Sequence, residues 1–315
     1  MGHSPSRRRT VICSSGISRP CPLTVDGDAV LKSDVEPVRS RSHLEAIHFP
    51  MIPATETLEA ALKAWYYFLR ERGVHPGRYD QKTSASDDAY QAILDRFRAF
   101  SDQHSTGREY LHTVLVALAK GTRLVKAALE WEEASAGSKA TRSRILTSRA
   151  RGEQWRLVMA YGGLETVGKA LLCLRCKTKG LGLADATAFH ASFRCGLPAY
   201  TPLVAPDRCR AELARWLKTE APLDERQSPI IAFLKMQDDG TSFFYRWAVK
   251  GQSVGSWPAA IQLAKELRNA TAHGSLSATK VGQWGLRDAL DTLCMNLGEL
   301  TAGALRGLVE GLPTA

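Results

Sequence analysis

Apolar residues recur at spacings of three and four along most of the chain after residue 54. Leu58, Ala61, Leu62, Trp65, Phe68 and Leu69 follow this spacing, which places them on one face of a helix. The run opens near Thr55, with Glu59 downstream, and closes by Gly73, ahead of Pro76-Gly77. Tyr90, Ile93, Leu94 and Phe97 predict a second helix over residues 86–100, and Leu111, Leu115, Leu118, Leu124 and Leu129 a third over residues 107–133. Trp155, Val158, Met159 and Gly162 form one stripe of a helix over residues 155–177. Gly162-Gly163 costs that helix propensity, which suggests close backbone packing against a neighbour.

The glycine- and proline-rich residues 180–206 read as a long loop or irregular insertion. Short helices are expected over residues 207–219 and 228–236. Residues 242–249, Ser-Phe-Phe-Tyr-Arg-Trp-Ala-Val, fit a strand or a buried loop. Ser256 caps a helix with Pro258 in its first turn, and Gly274 can take the left-handed position after His273. A last long helix is expected over residues 279–309. No strand-rich region and no internal repeat is evident, so the class is all-α, a packed helical bundle. Residues 1–52, rich in Ser, Pro and Arg, carry neither period and read as an irregular or disordered tail. The break Ala134-Ser135-Ala136-Gly137-Ser138 divides an N-terminal helical region, residues 53–136, from a helical domain over residues 139–312.

Composition narrows the function classes. The chain has 315 residues, 44 % hydrophobic and 23 % charged, enough for a sizeable core. A net charge of +10 makes nucleic acid the first partner to consider. The seven cysteines are scattered and odd in number, unlike a secreted disulfide framework. No apolar signal segment and no run of about 18 apolar residues is present, so no membrane association is expected and a cytoplasmic location is.

Arg142, Arg149 and Arg156 lie seven apart and share a helix face. They read either as a solvated face or as a ridge that tracks RNA phosphates. Cys173-Leu174-Arg175-Cys176, with Cys195, Cys209 and His190, could supply zinc ligands. The pair sits in an apolar helical run without a second C-x-x-C, so core cysteines are expected, with no metal and no cofactor. The seven tryptophans read mostly as core.

Chemistry concentrates at the end of the Ser256 helix. Trp257, Ala260, Ile261, Ala264, Leu267 and Thr271 form an apolar stripe, and Arg268 falls inside it. A guanidinium there must be paired or face a polar cavity, because an isolated buried charge is too costly. It either pairs with a core carboxylate or serves a site. His273 follows at the helix end, about 7.5 Å along the axis, where it either meets the helix dipole or faces substrate.

The string Glu266-Leu267-Arg268-Asn269-Ala270-Thr271-Ala272-His273-Gly274 resembles the signature of the HEPN superfamily: Arg, a polar residue such as Asn, a short spacer and His. The resemblance covers residues 140–312 and implies a HEPN-like bundle with additional N-terminal helices. It further implies an endoribonuclease that needs no metal, with the RNA 2′-hydroxyl attacking the adjacent phosphorus. His273 would be general acid or base, Arg268 would hold the phosphate, and Asn269 would orient His273 or the phosphate. Glu165, on an earlier helix, is the expected partner of Arg268; Glu266 is the local rival but lies two residues away, a poor geometry. One motif per chain implies a homodimer or a second HEPN protein. Toxin or antiviral-defence roles follow by analogy, with an antitoxin or defence-complex partner. The alternative is a catalytically inactive HEPN module that binds RNA or scaffolds such a complex. HEPN toxins paired with a nucleotidyltransferase antitoxin carry Tyr two positions after the His; Ser275 stands here, which argues against adenylylation at that position.

Overall fold

The computed structural model describes residues 54–73, 87–103, 108–132, 142–172, 181–193, 196–217, 229–235 and 242–311. All of them belong to one packed unit, Ala46–Ala315. The described residues form eleven helices: α1 (Ala54–Glu71), α2 (Asp87–Gln103), α3 (Arg108–Leu129), α4 (Arg142–Leu171), α5 (Leu183–Phe193), α6 (Asp207–Leu217), α7 (Pro229–Lys235), α8 (Phe243–Ala248), α9 (Trp257–Ala272), α10 (Ala278–Gln283) and α11 (Arg287–Glu310). The protein is all-α. Among the described residues the sole β feature is an isolated antiparallel bridge, Leu203 to Val254.

The helical periodicity translates into burial where it was strongest. Every member of the α1 stripe, Leu58 to Leu69, is buried. In α2, Leu94 and Phe97 are buried and Tyr90 is half-buried, stacked on Tyr67 with ring centroids 5.7 Å apart. In α3, Leu115, Leu118, Val125 and Ala128 face the core, whereas Leu124 is 40 % exposed. The side chain of Leu111 lies outside the described residues.

Helix α4 is the spine. It runs for 30 residues, about 45 Å, and packs on α3, α9, α10 and α11. It corrects the expected start near Trp155: the basic segment is the first half of this same helix. Its tightest crossing is with α3. A methyl group at Gly163 would sit 2.5 Å from the Gly121 carbonyl oxygen, and one at Gly121 would sit 2.6 Å from that of Gly163. The two backbones therefore touch. Gly162 faces open space, so only one glycine of the pair serves the packing.

Three further expectations change. The supposed insertion contains α5, which packs on α9 and α11 and buries Ala186 and Phe189. Two buried positions among its described side chains leave little periodic signal. Residues 243–248 form helix α8, not a strand or loop. Ser242 accepts from the Tyr245 amide, and the Glu266 carboxylate accepts from the amides of Phe243 and Phe244 at 3.0 and 2.7 Å. These long-range bonds satisfy amides that an isolated aromatic segment leaves open. The last helix is split in two. Gly285 adopts a φ of +69° after Trp284, and the Leu286 amide bonds back to the Val281 carbonyl at 3.0 Å, a helix-ending turn. Among the described residues, no helix is long and apolar enough to cross a membrane.

Candidate active site

Helix α9 begins as expected: Ser256 accepts from the Ala259 amide, and Pro258 occupies the first turn. Its inner face, Trp257, Ala260, Ile261, Ala264 and Leu267, is buried. Arg268 lies at the edge of that face, with 29 % of its side chain exposed. It crosses to α4, where Tyr161, Glu165 and Lys169 are spaced four apart and form one column.

The guanidinium is held from three directions. Nη2 donates to Glu165 Oε2 at 2.9 Å, Nη1 donates to Asn269 Oδ1 at 2.9 Å, and the group lies 5.0 Å from the centroid of the Tyr161 ring. Glu165 is the hub, since its other oxygen accepts from Lys169 Nζ at 2.6 Å. Its side chain is only 12 % exposed, so the carboxylate is stable there because two cations surround it. Burial, and then the Glu165 charge, push the Tyr161 phenol well above its ordinary range. Tyr161 therefore stays neutral and offers Arg268 a ring face. Of five guanidinium donors, two are used, which leaves three without a partner among the described residues.

Glu165, not Glu266, is thus the partner of Arg268. Glu266 is committed to Ser242 and the start of α8. Asn269 holds Arg268. Tyr161 and Lys169 were not singled out from the sequence, although both lie one turn from Glu165.

His273 is the exposed C-cap of α9. Its amide donates to the Asn269 carbonyl at 2.9 Å, and Gly274 takes a φ of +72°. The Leu276 amide then reaches the Ala270 carbonyl at 2.9 Å. The buried Gln154 of α4 ties this turn down by donating to the Leu276 carbonyl at 2.7 Å and to Thr271 Oγ1 at 3.3 Å. The motif therefore spans two rigidly placed groups, a latched arginine and a histidine on a fixed turn.

The basic ridge divides. Arg156 corrects the expectation of a phosphate contact. Its side chain is 12 % exposed and bonds the Ala128 carbonyl at 3.0 Å, Glu153 at 2.8 Å and Asp291 at 2.6 Å. It ties α4 to α3 and α11, because the ridge turns inward where α11 packs. Arg149 is exposed; the side chain of Arg142 lies outside the described residues. Cys173, Cys176 and Cys195 also lie outside them. Cys209 is buried, and burial pushes its thiol up to about 12.

Comparison of the chain with protein-family models, with curated proteins and with solved structures gives no match.

Proposed function

We propose that this chain is a HEPN-type endoribonuclease that needs no metal, with Arg268 and His273 as its catalytic pair. The observation that carries the reading is Arg268 itself. It is fixed by Glu165 and Asn269, keeps three donors without a partner among the described residues, and precedes an exposed His273 on a pinned helix end. Fixed donors aimed at developing charge favour phosphoryl transfer, because no reorganisation is needed during reaction.

In this mechanism a base removes the proton of the RNA 2′-hydroxyl, and the oxygen attacks the adjacent phosphorus. The bond from phosphorus to the 5′-oxygen breaks, and an acid protonates that oxygen. The products carry a 2′,3′-cyclic phosphate, which can hydrolyse to a 3′-phosphate, and a 5′-hydroxyl. Arg268 neutralises the phosphorane oxygens, and His273 performs one proton transfer. With one motif per chain, the second His comes from another copy, which makes a homodimer or a pair with another HEPN protein the working unit. Toxin or antiviral-defence action in the cytoplasm, with an antitoxin or defence-complex partner, is the setting analogy suggests.

A second reading, an inactive HEPN module that binds RNA or scaffolds a complex, is favoured by the internal engagement of Arg268 with Glu165. The test is purified protein against single-stranded RNA with EDTA present. Cleavage to cyclic-phosphate ends that is lost in both Arg268→Ala and His273→Ala supports the nuclease. Cleavage that survives both substitutions removes the site assignment, and binding without cleavage by a dimeric sample favours the second reading.

A further inference from the structure

Trp131, just after α3, is 44 % exposed, and Trp155, on α4, is 48 % exposed. The remaining tryptophans, Trp65, Trp216, Trp247, Trp257 and Trp284, are buried or half-buried. A single exposed indole needs no explanation, but two side by side form an apolar patch of the kind that serves a contact. These two are neighbours. The Trp131 Nε1 atom lies 3.5 Å from where a methyl on Gly152 would stand, and Gly152 is one helical turn before Trp155. Residues three apart on a helix lie about 5–6 Å apart at their β-carbons. Gly152 thus provides a flat floor beside Trp131. Arg149 and Arg151, both exposed, occupy the same turn of α4.

We propose that Trp131 and Trp155 form a base-stacking platform for single-stranded RNA, with Arg149 and Arg151 meeting the phosphates. This rests on the ribonuclease reading for the identity of the nucleic acid. Indole faces accept any base, and arginines beside them supply the charge complement of a phosphate backbone. Among the flanking carboxylates, Glu130 shares Lys126 with Glu59 at 2.6 and 3.1 Å, and Glu153 shares Arg156 with Asp291 at 2.8 and 2.6 Å. Glu132 is exposed and opposes the polyanion. The platform is coupled to the motif by one rigid element. Trp155 and Glu165, which holds Arg268, are ten residues apart on α4, an axial rise of about 15 Å. A strand bound on the platform is therefore delivered at a fixed distance from the arginine.

The experiment titrates the full chain with a 2′-O-methylated oligouridine of about 12 nucleotides, a length within the range one such site covers. The modification blocks 2′-hydroxyl attack, so binding is read without cleavage. A hairpin duplex and heparin serve as probes whose bases are paired or absent. Tryptophan fluorescence is expected to be quenched by the single strand. Trp131→Ala and Trp155→Ala are each expected to weaken single-strand affinity by roughly 5- to 100-fold while heparin affinity holds. Trp155→Phe, which keeps a flat ring, recovers most of the loss, and Arg151→Ala lowers the salt slope by about 0.7. Unchanged affinity in both alanine variants overturns the platform. So does an equal loss for heparin and the single strand, or a shift from dimer to monomer on gel filtration, which would make the patch a protein interface. The nuclease reading fails separately. If unmodified RNA is never cut while tryptophan-dependent binding persists, the platform stands and the nuclease falls.

Discussion

Replacing Glu165 by alanine is the most informative single perturbation, because one carboxylate holds two cations. It accepts from Arg268 at 2.9 Å and from Lys169 at 2.6 Å, with 12 % of its own side chain exposed. A hydrogen bond to a charged group contributes about 1.5–3 kcal/mol. The two cations are 29 % and 24 % exposed, so water recovers part of their solvation, and the lower figure applies. Two bonds at about 1.5 kcal/mol give a destabilisation of about 3 kcal/mol. At about 2 °C per kcal/mol for a large domain, the melting temperature falls by about 6 °C. A double-mutant cycle with Arg268→Met isolates the share of that pair, expected near 1.5 kcal/mol. Urea unfolding of the four proteins measures it. A coupling below about 0.5 kcal/mol refutes the latch, because residues joined in one network couple by more than that. In the cleavage assay the same substitution frees Arg268 to wander and is expected to lower kcat more than it raises KM.

Three other outcomes follow from the geometry. Gly163→Ala forces α3 and α4 apart and is expected to cost about 1–3 kcal/mol in urea unfolding, whereas Gly162→Ala, facing open space, is expected to stabilise by up to about 1 kcal/mol; equal effects would remove the close-crossing account. Arg156→Ala is expected to destabilise the fold, because it strips the Ala128 carbonyl, Glu153 and Asp291 of their partner, and to leave the salt slope of RNA binding unchanged; Arg149→Ala, at an exposed position, is expected to lower that slope, and thermal melts with salt titrations check both. Cys209 and Cys294 are buried, with thiols pushed up to about 12 and about 11, chiefly by burial. They are therefore expected to resist iodoacetamide at pH 8 until denaturant is added, and rapid alkylation of the native chain at either position would contradict their placement.

What the sequence determined by itself is whatever depends on nearest neighbours along the chain. The α1 stripe, the Ser256 cap with Pro258, and the left-handed Gly274 after His273 were all legible, because period, cap chemistry and a positive φ are local properties. The same locality made Arg268 conspicuous: a charge on an apolar stripe demands a partner. Which partner answers that demand was decided by the packing of α9 on α4. That contact brings Glu165 across 103 positions of chain, with Tyr161 and Lys169 one turn away on either side. Long-range contacts also overrode local preference at residues 243–248, where Glu266 supplies the amide acceptors that turn a strand-like aromatic run into α8. Equal spacing placed Arg149 and Arg156 on one helix face. Only the approach of α11 decided that Arg156 is turned inward to Asp291 while Arg149 stays on the exposed surface. The local pattern sets which face a residue occupies, and the neighbouring helix sets what that face touches.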